Sequence, residues 1–310
     1  MGVEAVTTPL FSSAGGLYRG NLHGHSTHSD GKNSPAEVVR LYRDAGYDFT
    51  CLSEHYWSNP RFCAPTIIDT TALDSPDFIT LVSAELHCPG KAHDRDGLWH
   101  IVANGLPPDF PMAGESETGP QLVARAVAAG AYVTIAHPEW YSLTDEEARS
   151  LASAGAHGVE IYNHSSAIES GRGSGVAALD LLLNEGHRIH LTATDDSHHV
   201  PGDAFGGWVM VAADGLNASA IIDALKTGSF YASSGPDFTD LRRDGATLHV
   251  DTSPVDRIIL AADRHQSRVV TGDGITTASF DLASLDSAFF RIVVIDRQGR
   301  GAWSNPYWIN

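Results

Sequence analysis

The segment Asn21-Leu-His-Gly-His-Ser-Thr-His-Ser-Asp-Gly31 places three histidines and an aspartate within eleven residues. Imidazole and carboxylate groups at that density suit a divalent metal site or a general acid/base cluster, and a solvated polar loop is the chemically empty alternative. His23-x-His25 is the informative pair. Side chains alternate with period two along an extended segment, so both imidazoles face one side. Asp196-x-His198 repeats that spacing far along the chain. His28 falls outside the pattern and reads as a loop residue. Asp30 is either the turn residue of Ser-Asp-Gly or a member of the site.

The remaining chemistry-bearing residues occur where apolar runs stop. Strands are predicted at 47–53, 78–84, 100–104, 131–136, 158–162, 188–194 and 207–212. Glu54-His55 follows the first of these, Glu85-Leu-His87 the second, His137-Pro138 the fourth, and Asp195-Asp196-Ser-His198-His199 the sixth. His100 sits awkwardly at the head of its strand. Helix punctuation lies between the strands: Ser34-Pro35-Ala-Glu37 up to Gly46, Thr144 and Glu147 up to Gly155, and Asn217 up to Gly228. Such alternation predicts parallel strands joined by crossovers, in an α/β sheet or barrel. The carboxyl ends of those strands would share one face and gather these side chains into one pocket. Nitrogen and oxygen donors without cysteine suit Zn²⁺, Mn²⁺ or Fe²⁺. A carboxylate such as Glu85 between two such sets can bridge two cations, which together generate a hydroxide and clamp the oxygens of a displacement.

Composition narrows the partners. The chain has 310 residues, 42% of them hydrophobic, enough for one large domain or a large one with a small companion. A formal charge of -18 argues against nucleic acid as a partner. No apolar run approaches a membrane span, and the first residues do not read as a signal peptide. Three cysteines without metal-type spacing suggest free thiols in a reducing compartment, so a cytoplasmic protein is expected. Oligomeric state is open.

The motifs NLHGHSTHSDG (21–31), LSEH (52–55), SAE (83–85), WHIV (99–102), IAHP (135–138), GVEIYN (158–163) and ATDDSH (193–198) together resemble the PHP superfamily, named for polymerase and histidinol phosphatase domains. The resemblance covers about residues 15–235 and implies a distorted (β/α)7 TIM-like barrel with two or three divalent metal ions at the strand ends. It implies that His23, His25, Glu85 and Asp196 hold the first metal, and that Glu85 bridges to a second held also by His100 and His137. Asp30, His55 and His198 would form a third set, holding a metal or serving substrate and proton transfer as catalytic groups. Two departures from the family pattern, Asn21 and Glu54 in place of aspartates, bear on the surroundings of the ligands rather than on the ligands. Of the tandem aspartates, Asp196 is favoured because it alone makes Asp-x-His.

Trp140 and Tyr141 either wall a substrate pocket or are plain aromatics, and His199 is a candidate substrate contact. Arg172, in the Gly-rich loop 171–175, either cradles a phosphate or sits in a flexible connection. From about residue 236 the helical pattern gives way to short strands and turns, so the expected organisation is an N-terminal extension (1–14), a metallohydrolase barrel (15–235) and a small β-rich C-terminal domain (236–310). The segment GSFYASSGP (228–236) with this tail resembles the carbaryl-hydrolase-like branch. The expected activity is hydrolysis of a small phosphorylated substrate by a metal-bridging hydroxide, with a carboxylester or carbamate hydrolase as the alternative. A proofreading-type accessory module and a metal-binding protein without turnover fit less well.

Overall fold

A computed structural model describes residues 7–9, 15–58 and 61–309. Most of the expected N-terminal extension therefore lies outside the described residues. Its exception is strand β1 (Thr7–Pro9), whose backbone pairs with a C-terminal strand. The strands that follow are β2 (Gly16–Gly20), β3 (Phe49–Leu52), β4 (His55–Tyr56), β5 (Ile79–Leu86), β6 (Ile101–Asn104), β7 (Tyr132–Ile135), β8 (Gly158–Asn163), β9 (His190–Thr194), β10 (Trp208–Ala213) and β11 (Phe230–Ser233). The helices between them are α1 (Pro35–Asp44), α2 (Gly119–Ala128), α3 (Asp145–Ser153), α4 (His164–Ser170), α5 (Val176–Asn184) and α6 (Ala218–Thr227).

The helices begin where side chains replace missing backbone partners. Ser34 with Glu37 and Thr144 with Glu147 form reciprocal capping boxes, as their spacing predicts, and Thr118 with Gln121 forms a third. Asn217 caps α6, which stops at Gly228 with φ of 75°, a conformation that disfavours any residue with a Cβ.

The sheet is mixed rather than parallel throughout. Strands β2, β3 and β5 run parallel, as do β7, β8 and β9, but β6 is antiparallel to both β5 and β7. No helix crosses over between β5 and β6, so the chain turns back and β6 points the other way. This resolves the awkward position of His100. The head of a reversed strand lies at the same end of the sheet as the tails of its neighbours.

On the other side, β2 pairs with β10 and β10 with β11, both antiparallel. Between β9 and β11, rings of His190 and Phe230 touch at 5.8 Å, yet no strand pairing joins the two among the described residues. The side chain of Asn305 spans this seam. It accepts from Leu191 N–H at 3.0 Å and donates to the carbonyls of Gly228 and Phe230 at 3.1 and 3.0 Å. The ladder is thus open at one place where the expected closed barrel would pair backbone with backbone.

The C-terminal texture change appears as β12 (Phe238–Asp244), β13 (Thr247–Ala262), β14 (Ser267–Asp281), β15 (Phe289–Ile295), β16 (Gly301–Ser304) and β17 (Tyr307–Trp308). All of their mutual pairings are antiparallel. β16 also pairs with β11, so this region continues the main sheet while enclosing its own apolar cluster. The three cysteines are unpaired.

Candidate metal centre

All nine residues expected to hold metal come together at one end of the sheet. They form overlapping groups: His25, Asp30, His55 and His198; His23, His25 and Glu85; His23, His137 and Asp196; and Glu85, His100 and His137. A further group adds His87 to His55 and Glu85. Glu85, at the tail of β5, is fully buried and belongs to three of the five.

The spacing is that of ligands around shared cations, although His25 with Asp196 and His137 with Glu85 also pair directly. His23 Nε2 and His25 Nε2 each stand 3.1 Å from Asp196 Oδ1, and 3.5 and 3.6 Å from Glu85 Oε2. His137 Nε2 is 3.2 Å from Glu85 Oε1, and Asp30 Oδ1 is 3.5 Å from both His55 Nε2 and His198 Nε2. Donors about 2.0–2.2 Å from a common cation stand about 2.8–3.6 Å from each other in octahedral or tetrahedral shells. His23 Nε2 and Glu85 Oε2 are buried and make no hydrogen bond of acceptable geometry despite these neighbours. Buried polar atoms left so are costly unless something else satisfies them, and a divalent cation between them does. The residues present therefore fit the group.

An outer ring holds the ligands in place. Glu160 is buried on β8 and accepts from His23 Nδ1 at 2.7 Å, His137 N–H at 2.7 Å, Thr194 Oγ1 at 2.8 Å and Asn163 Nδ2 at 2.9 Å. Because Nδ1 of His23 donates there, its Nε2 lone pair faces the centre. His198 is fixed the same way, with Nδ1 donating to the Asp196 carbonyl at 2.9 Å. Glu54 clamps the first loop by accepting from the backbone and hydroxyls of Ser26 and Ser29. Asn21 donates to the His23 carbonyl at 2.7 Å and accepts from Asp195 N–H at 3.0 Å. The tandem aspartates divide their work. Asp196 joins the ligand groups, while Asp195 turns away to accept from Tyr42 and the amides of Phe205, Gly206 and Gly207. Asp196 holds φ at 53°, a left-handed conformation uncommon outside glycine and concentrated at functional sites.

Electrostatics in the cation-free protein follow from this crowding. Burial raises the Glu85 carboxyl, but the imidazoles of His55, His100 and His87 outweigh it and hold the group well below the usual range. Burial opposes the charge on His100, yet Glu85 and Asp94 lift it to about 9. His25 is pushed well down, by burial first and then by His55 and His198. Protons on some imidazoles thus stand in for cations, and metal binding releases them.

A cavity of about 380 Å³ opens above the cluster. Asp30, His55, His100, His137, Asp196 and His198 reach it from below, and Phe62, Trp140, Arg61, Arg95, Asp94 and Asp96 form its sides. Trp140 is 40% exposed and its ring lies 5.1 Å from His137, so it does line the pocket. Tyr141 is buried behind His137 and His100 and does not line it. Arg172 and His199 are exposed and absent from the lining. Arg172 follows the αL residue that ends α4, with its backbone N–H bonded back to Ser166.

Sequence reasoning passed over Glu160 and Asp94. Glu160 carried a signal, a carboxylate inside the apolar run GVEIY. Asp94, whose Oδ1 is 3.6 Å from His100 Nε2, had none, since it comes from an irregular loop.

No family model and no curated protein matches the sequence. Among solved structures, the chain is similar to a two-domain protein containing a predicted PHP-like metal-dependent phosphoesterase from Bacteroides vulgatus. That similarity has 16% identity and a TM-score of 0.53, over 96% of this chain and 97% of the other. An amidohydrolase from Chromobacterium violaceum, with bound sulfate and no metal, aligns at 16% identity and a TM-score of 0.45, over 60% of this chain and 89% of that one. The first likeness bears on fold alone: along nearly its whole length the chain shares the mixed α/β architecture of a PHP-like protein, and the chemistry of its centre stands on its own geometry.

Proposed function

We propose that the chain is a metal-dependent hydrolase, and within that class a phosphoesterase acting on a small phosphorylated molecule. The observation that carries this reading is the convergence of nine imidazole and carboxylate groups at ligand-to-ligand spacing, six of which line an open cavity. The scaffold we infer is a distorted (β/α)7 barrel over residues 15–235, with 236–310 as its β-rich companion.

Two or three Mn, Fe or Zn ions, when bound, supply Lewis acidity and an activated water nucleophile. His23, His25, Glu85 and Asp196 are the residues to hold the first, and Glu85, His100 and His137 the second. Asp30, His55 and His198 form the more accessible set. Arg61 and Arg95 are the arginines of a cavity wall that also carries Asp30, Asp94, Asp96 and Asp196, and they are the groups to meet an anionic substrate. Arg61 is tethered by Asp96 at 3.0 Å. With Nδ1 of His198 committed to a carbonyl, its Nε2 is the atom that can accept a proton or hold a cation at the cavity, and in the doubly protonated ring the one that can give a proton to a leaving oxygen.

A second reading has one observation in its favour. Phe62 and Trp140 offer apolar wall to the same cavity, as a carboxylester or carbamate substrate with an aromatic group would use.

Elemental analysis of gently purified protein, coupled to hydrolysis assays, tests both. Two or three metals per chain with turnover of nitrophenyl phosphate esters supports the phosphoesterase. The same metals with turnover only of a naphthyl ester or carbamate moves the protein to the second reading. Less than one metal per chain after reloading with Mn²⁺, Fe²⁺ and Zn²⁺ refutes both.

A further inference from the structure

His87 lies two residues beyond Glu85 and has no part in the roles assigned above. It is fully buried. Its Nδ1 is 2.8 Å from the carbonyl oxygen of Trp99. A carbonyl can only accept, so Nδ1 carries the proton, and in the neutral ring Nε2 presents a bare lone pair. That lone pair faces His55 Nδ1 at 2.9 Å. Two bare nitrogens do not face each other at that distance, so His55 Nδ1 is protonated and donates. The Nε2 of His55 is then bare, and it is the atom 3.5 Å from Asp30 Oδ1 in the group shared with His25 and His198. Glu85 Oε2 also lies 2.6 Å from His55 Nδ1, but it receives no hydrogen bond of acceptable geometry. The aligned acceptor is His87.

We propose that His87 is a positioning residue: through a relay from the Trp99 carbonyl to His87 to His55, it fixes the tautomer that offers His55 Nε2 to a divalent cation on the Asp30 and His198 side of the centre. The other tautomer of His55 would aim an N–H at that cation. Carboxylates and backbone carbonyls commonly orient ligand histidines. Here a carboxylate in place of His87 would stand beside Glu85 Oε2, which is 3.8 Å from His87 Nε2. A neutral imidazole supplies the acceptor without a second buried negative charge at that spot. The cation in this proposal rests on the metal-centre reading, whereas the tautomer does not.

Two measurements test it. Heteronuclear NMR of the ring nitrogens in metal-free wild-type protein reads the tautomers directly. Protonation of both His55 and His87 at Nδ1 is expected, and a proton on Nε2 of His55 overturns the proposal. Zn²⁺ titration against a competing chelator then compares two variants with wild type. In His87→Asn the amide keeps a donor for Trp99 but loses the acceptor for His55, and in His87→Gln an acceptor reaches the Nε2 position. His87→Asn should weaken one Zn²⁺ by about 10–100-fold, leave the tightest Zn²⁺ unchanged, and be largely rescued by His87→Gln. Wild-type affinity in both variants, or equal loss in both, overturns it, the latter by making His87 a ligand or a packing residue. Should wild-type protein bind no divalent cation, the metal-centre reading fails while the NMR result still decides the tautomer.

Discussion

Between β2 and β10 the sheet buries Glu54, Glu85, Glu160, Asp195 and Asp196 together with six imidazoles, those of His23, His25, His55, His87, His100 and His137. Between β12 and β17 the buried side chains are those of Leu, Val, Ile, Phe and Ala, with Thr252, Arg291, Asp296, Ser304 and Asn305 as the polar exceptions. Along β13 buried residues alternate with more accessible ones, as expected for a sheet with one covered face. The two regions share a ladder through β11 and β16 and an ion pair between Arg291 and Asp180 at 2.9 Å, yet they do opposite things with burial. Each ion taken out of water costs several kcal/mol before compensation, so the first region is built against stability and for chemistry. The second removes apolar area from water, which stabilises the fold.

Substitutions should therefore separate function from stability according to region. The largest effect expected is on activity. His23→Ala combined with His25→Ala should lower hydrolysis by roughly a thousandfold or more and empty the first metal position, and because it strips buried Glu160 and Asp196 of imidazole partners it should also lower the melting temperature of metal-free protein. Elemental analysis and calorimetry on one sample check this, and unchanged metal content would remove the assignment.

Leu248→Ala in the second region should affect stability alone. It should cost about 2–5 kcal/mol in denaturant unfolding while metal content and kcat stay at wild-type values. A change in kcat without a change in stability would contradict the division.

A pH effect follows from His190, away from the centre. Burial, and then the neighbouring His157, depress its pKa from the usual 6.5 to about 4. The fold favours the neutral ring, so its contribution is complete above the unfolded value near 6.5 and is lost as pH falls through about 4. Stability should drop across that window, and His190→Gln should flatten the drop by at most about 3 kcal/mol. A profile unchanged by the substitution would mean that the fold does not favour the neutral ring.

The smallest effect concerns the seam between the regions. Asn305→Ala leaves Leu191 N–H and the carbonyls of Gly228 and Phe230 without their partner, for about 1–3 kcal/mol. Hydrogen exchange should quicken at Leu191 before it does in β13. Uniform protection would show that the seam does not depend on this side chain.

Much of the centre was legible because its residues obey short-range rules. His23-x-His25 and Asp196-x-His198 declare a shared face by alternation, and His55, Glu85 and His137 declare themselves by standing where apolar strands end. The capping boxes at Ser34 and Thr144 set helix starts by contacts three residues apart, which any chain carries in its local order. Arg172 and His199 lie outside the cavity lining for the complementary reason. Proximity in sequence to a motif says little about direction once a helix end or a loop intervenes, and both side chains leave toward solvent.

The sequence by itself determined the donor types, their distribution over strand ends and the switch to β structure near residue 236, since each depends on composition and local periodicity. Tertiary contacts alone settle that β6 runs backward and so brings His100 to the centre, and that Glu160 accepts from His23 Nδ1 and leaves its Nε2 bare. They also settle that Asp196 faces inward while Asp195 holds a loop. These outcomes depend on hydrogen bonds between residues distant in the chain, whose partners no local pattern specifies.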